Sequence, residues 1–94
     1  MRDLTELRQE LDALDQELVA LFEKRMAISR EVAAAKMQLG KPVLDASREA
    51  QVLQSRCAML HDASLAEATE ALYRQIMALS RQEQEKLLGR VQDA

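Results

Sequence analysis

One heptad register runs unbroken from Leu4 to Leu39. One seam position takes Leu4, Leu11, Leu18, Arg25, Val32 and Leu39, and the other takes Leu7, Leu14, Leu21, Ile28 and Ala35. Asp3 followed by Glu6 has capping-box spacing at its start, and neither Gly nor Pro interrupts it before Gly40-Lys41-Pro42, a strong C-terminal stop. A helix over residues 4–39 would be roughly 54 Å long at 1.5 Å per residue. A compact globule of this chain length has a radius of gyration of only about 12–13 Å. Such a helix overhangs any monomeric globule and exposes its leucine seam, so the pattern predicts a partner helix from a second copy.

The rest of the 94 residues reads as two shorter helices. Asp45 can cap a second helix through Val52, Leu53 and Cys57 to about Leu60. His61-Asp62-Ala63 is a short break, and Ser64 with Glu67 has capping-box spacing for a third helix on Leu65, Ala68, Leu72, Ile76 and Leu79. That helix runs toward Gly89, and the polar tail from Gly89 to Ala94 is expected to fray. The expectation is one all-α domain over 1–94, with one long, one short and one medium helix in an intertwined homodimer. Composition agrees: apolar residues are 48% of the chain, yet Phe22 and Tyr73 are the only aromatics.

A net charge of −3 gives no reason to expect nucleic acid. The lone Cys57 has no internal disulfide partner, and no apolar run approaches a membrane span. A cytoplasmic setting is the expectation. One His and one Cys cannot form a conventional zinc site, and no CxxC, HExxH, phosphate loop or nucleophile elbow occurs. No metal or other cofactor is expected, and any chemistry must come from holding and polarising a substrate.

Several polar residues stand where the pattern wants apolar ones. Arg25 occupies the seam between Leu21 and Ile28, either as a register device or as a cation awaiting an anion. Lys36, eleven residues on, lies on almost the same helical face. It is either a solvated flank or half of a grip on one small ligand. Arg8 is seventeen residues before Arg25, too far along the axis for one metabolite to touch both. It is either ordinary surface or part of a site on a partner chain. Asp45-Ala46-Ser47-Arg48-Glu49 offers a capped, solvated helix start, or amides and a guanidinium for an anion with Glu49 as a hydroxyl acceptor. Ser80 and Gln84 interrupt the stripe Ile76, Ser80, Gln84, Leu88, as mixed surface or as neutral hydrogen-bonding groups one turn apart.

Arg8, Glu23-Lys24-Arg25, the run from Lys36 through Gly40-Lys41-Pro42-Val43-Leu44-Asp45 to Arg48-Glu49, and Ser80 with Gln84 together resemble the all-helical chorismate mutases. The resemblance is greatest to the N-terminal mutase domain of proteins that also carry prephenate dehydratase. No dehydratase or regulatory segment lies in the sequence, which fits either a free-standing enzyme or one domain of a longer chain. The resemblance implies an isomerase that rearranges chorismate to prephenate on the way to phenylalanine and tyrosine, without a cofactor. It assigns Arg25, Arg48 and Arg8 from the second chain to the substrate carboxylates, and Lys36 and Gln84 to the ether oxygen. Glu49 and the Asp45 region would take the ring hydroxyl, and Ser80 would support a carboxylate. Two other functions fit the sequence: an isochorismate pyruvate lyase of the same fold, and a non-catalytic helical dimerisation module. The connection from Gly40 to Leu44 reads like that of a mutase, and the second alternative leaves Arg25 without an anion.

Overall fold

The computed structural model describes residues 1–93, with side chains through residue 89. Helix α1 spans Leu4–Leu39, α2 spans Ala46–Ala58, and α3 spans Ala66–Asp93 after a 3-10 turn at Ala63–Leu65. The described residues contain no strand. Asp3 starts α1 by accepting from the Thr5 amide at 2.7 Å. Gly40 ends it in the left-handed region, at φ 67°. There Gly40 N donates to Met37 O at 3.2 Å and Lys41 N to Lys36 O at 2.8 Å, the paired bonds of a Schellman turn. Pro42 follows and cannot rejoin the helix. The chain therefore doubles back immediately beyond Lys36.

Asp45 begins α2 as expected, accepting from Arg48 N at 3.0 Å. At the second connection Asp62, not Ser64, takes the capping role. Its Oδ1 accepts from Ser64 N at 3.0 Å and from the Ser64 hydroxyl at 2.6 Å. An ionised carboxylate is the stronger acceptor, and the 3-10 turn brings Ser64 within its reach. The tail also differs from expectation, because α3 continues through Gly89 to Asp93, while Ala94 lies outside the described residues. A single helical glycine costs only about 1 kcal/mol, and no proline follows to stop the helix.

Helix α3 packs against both α1 and α2, while α1 and α2 share no backbone contact. The buried apolar set is small: Met26 and Ala33 from α1, Val52 from α2 and Met77 from α3. Ala33 is wholly buried, and its lack of bulk suits the close passage of α1 over α3. The seam that should fill a core is instead open, with Leu11, Leu14, Leu18 and Leu21 between 57% and 63% exposed. Leu65 and Leu72, expected to anchor α3, are also exposed; the apolar side chain of α3 that is buried is Met77. A radius of gyration of 16.9 Å and a longest extent of 57 Å record the overhang of α1.

The two glycines should respond oppositely to the same substitution. Gly40→Ala forces an L-residue into the left-handed region and should cost about 1–2 kcal/mol. Gly89→Ala adds a methyl inside α3, where nothing lies within 4 Å, and should gain up to about 1 kcal/mol. Urea unfolding at one fixed protein concentration measures both, and midpoint shifts of the same sign would contradict these conformations.

Candidate active site

Because α1 and α2 both lie on α3 but not on each other, a gap opens between them with α3 as its floor. It forms a cleft of about 280 Å³. Seven of the eight residues singled out in the sequence line it: Arg25, Lys36, Asp45, Arg48, Glu49, Ser80 and Gln84. Arg8 does not. It lies exposed in the overhanging part of α1, about 25 Å along the axis from Arg25.

Lys36 sits at the end of α1, where the helix dipole favours a cation. The Schellman turn carries Val43 back beneath it, and Lys36 Nζ donates to Val43 O at 2.5 Å and to Gln84 Oε1 at 3.3 Å. The ammonium is thereby aimed into the cleft by neutral acceptors and has no carboxylate partner among the described residues. Arg25, half-buried in the cleft wall, likewise makes no ion pair among them. A partly buried guanidinium without a counter-ion favours an anion beside it.

Gln84 is 6% exposed and fully engaged. Besides accepting from Lys36, its Nε2 donates to Ser29 Oγ at 3.2 Å and to Ser80 Oγ at 3.4 Å. The Ser29 and Ser80 hydroxyls also meet each other. Ser29, 5% exposed, is a site residue that the sequence reading missed. The signal existed, because Ser29 lies one turn after Arg25 and seven residues before Lys36, on the same face of α1.

At the head of α2, Asp45 holds the Arg48 amide, and its carboxyl titrates below its ordinary value. The Arg48 backbone N–H is the main cause, followed by the Ser47 hydroxyl and the charges of Lys36 and Lys41. The Arg48 side chain donates to Gln51 Oε1 at 2.7 Å and remains exposed. Glu49 is held by Arg81, whose Nη1 donates to both carboxylate oxygens at 2.5 Å. Arg81 is the second residue that the sequence reading missed, for it contacts Glu49 across 32 residues of chain with no local pattern to announce it.

Four cationic side chains, Arg25, Lys36, Arg48 and Arg81, thus face two carboxylates, Asp45 and Glu49, leaving two positive charges uncompensated. Fold and site define an all-helical chain with a cleft whose lining carries an excess of positive charge. The chorismate mutase type II pattern matches residues 7–85, and the chain belongs to that family. A T-protein of Haemophilus influenzae is 43% identical over 56 residues, covering 60% of this chain and 15% of that protein. A T-protein of Enterobacter agglomerans is 39% identical over 54 residues, covering 57% of this chain and 14% of that protein. The matched stretch is thus about a seventh of each curated relative. No solved structure matches the chain.

The Asp45 cap gives a pH-dependent contribution to stability. Its folded pKa is depressed, so the contribution is complete above the ordinary aspartate value of about 3.9 and fades as pH falls through the lower folded value. Asp45→Ala should lower the thermal midpoint at neutral pH, and the gap from the unmodified protein should narrow below about pH 4. A gap that stays constant from neutral pH to below that point would show that the Asp45 charge is not what holds the α2 amide.

Proposed function

We propose that the chain is a chorismate mutase domain spanning 1–94, a cytoplasmic isomerase that converts chorismate to prephenate as an intertwined homodimer. The observation that carries this reading is the match between cleft and substrate. Two uncompensated positive charges in about 280 Å³ suit a compact molecule with two carboxylates, an ether oxygen and a ring hydroxyl. Family membership over residues 7–85 supports the same reading. Among the described residues no helix is long and apolar enough to cross a membrane.

The rearrangement is unimolecular: the ether C–O bond breaks as a C–C bond forms, and no nucleophile or proton transfer is needed. Catalysis then reduces to holding the reactive conformer and stabilising negative charge on the departing ether oxygen. Arg25, Arg48 and Arg8 of the partner subunit take the carboxylates, with Ser80 supporting one of them. Glu49, with the Asp45 region beside it, accepts from the ring hydroxyl. Lys36 meets the ether oxygen from a position held by Val43 O, so the ammonium itself needs little reorganisation when charge develops. Gln84 joins it by turning its amide over, presenting Nε2 to the ether oxygen while its Oε1 accepts from the hydroxyls of Ser29 and Ser80. Those hydroxyls can donate as readily as they accept, so the turn leaves no buried group unpaired.

The exposed seam supports the dimer. Helices α2 and α3 leave Leu11, Leu14, Leu18 and Leu21 uncovered, and a second copy of α1 and α3 is the self-complementary cover. In such a pairing the overhang of one α1 reaches the cleft of its partner, which gives Arg8 a role that its own chain denies it.

Purified protein should release prephenate from chorismate and no pyruvate from isochorismate; pyruvate release instead would assign it to the lyases. Lys36→Ala should lower kcat by about 10²–10³, the usual cost of one preorganised donor, with circular dichroism unchanged. A near-normal kcat with only KM raised would remove Lys36 from the ether oxygen.

A further inference from the structure

The pair formed by Glu49 and Arg81 does more than line the cleft. Both residues also line a second hollow of about 310 Å³, so together with Met77 the pair separates it from the cleft. The two side chains are 25% and 32% exposed, which shields the pair better than a surface ion pair. Arg48 lies next to Glu49 in sequence but spends its guanidinium on Gln51 Oε1. Among the described residues Arg81 is therefore the cation that Glu49 has.

A glutamate facing a dianionic ligand has two problems. Its long side chain must be held in one rotamer, at a cost in side-chain entropy. Its charge also repels the ligand's carboxylates. One guanidinium nitrogen shared by both oxygens addresses both problems, and each oxygen keeps a lone pair for a hydroxyl.

We propose that Arg81 is a positioning residue that clamps Glu49 as the acceptor for a substrate hydroxyl and cancels its charge toward an anionic ligand. The proposal rests on the mutase reading of the cleft. Neither the hydroxyl nor the carboxylates change charge during the rearrangement. The clamp therefore contributes equally to ground-state and transition-state binding, and its loss falls on KM.

The test is a cycle of four proteins: unmodified, Arg81→Met, Glu49→Gln and the double variant, with Arg81→Lys alongside. Arg81→Met should raise KM for chorismate about tenfold and change kcat by less than about threefold. In the Glu49→Gln background, where no carboxylate needs a counter-charge, the same substitution should shift KM by less than about threefold. Arg81→Lys restores the charge and should recover most of the affinity, and it carries the comparison alone should Arg81→Met not fold. An equal KM rise in both backgrounds would mean that Arg81 acts independently of Glu49. A loss confined to kcat, or no change, would equally overturn the clamp. Urea unfolding of the same proteins separates the clamp from the reaction, with at least about threefold coupling expected in the unfolding constant. Additivity there overturns the clamp, whereas an unmodified chain inert toward chorismate sinks the mutase reading and leaves the clamp to be judged by the unfolding cycle.

Discussion

A 36-residue helix in a 94-residue chain sets the terms for everything else in this protein. Its length exceeds what two shorter helices can cover, so among the described residues only four apolar side chains are buried and none of them is large and fully enclosed. Hydrophobic burial scales with area removed from water, at about 25 cal/mol per Å². A chain that leaves most of its leucine seam wet has not yet collected the main favourable term of folding. The site shares this dependence. Its cleft exists because α1 and α2 rest on α3 without meeting, and the overhang of α1 removes Arg8 from its own cleft.

Within that cleft, rigidity comes from the polar side chains. Lys36, Gln84, Ser29 and Ser80 form one connected set, anchored by the Val43 carbonyl that the Gly40 turn returns to α1. Every member has a partner, and the described residues contain no buried side-chain polar atom left unsatisfied. Such a set costs little to hold once the helices are packed, and it presents fixed donors where a fixed donor is worth most. Arg25, one of the cations in the wall without a carboxylate partner among the described residues, stands at the one seam position where the heptad breaks its apolar rule. The polar seam residue and the cleft-lining cation are thus the same feature.

Much of this was legible in the sequence because the governing signals are local. The bounds of α1 follow from Asp3, Gly40 and Pro42, and the start of α2 from Asp45, since caps and turns act over a few residues. Seven of the eight residues singled out in the sequence line one cleft because helical spacing places them on faces that meet. The errors have equally physical causes. Ser64 has the capping-box spacing, yet Asp62 takes the cap as the stronger acceptor, and the polar tail expected to fray from Gly89 stays helical to Asp93 because neither a left-handed residue nor a proline stops it. Leu65 and Leu72 match the apolar period, yet period alone cannot say whether the covering surface belongs to the same chain. Ser29 was overlooked as a small residue on a polar-tolerant face. Arg81 meets Glu49 only through the α2–α3 contact, which no short-range pattern encodes.

The central claim is that each site joins a cleft from one chain to Arg8 of the other. Mixing two inactive variants, Arg8→Ala and Lys36→Ala, tests it most directly. Each mixed dimer contains one site with both residues intact and one with neither, so random reassortment through partial unfolding and refolding should restore about a quarter of the unmodified prephenate-forming rate. Recovery near that level confirms a site shared across the dimer. If the refolded mixture stays as inactive as the separate variants, while unmodified protein taken through the same refolding regains its activity, the shared site is contradicted.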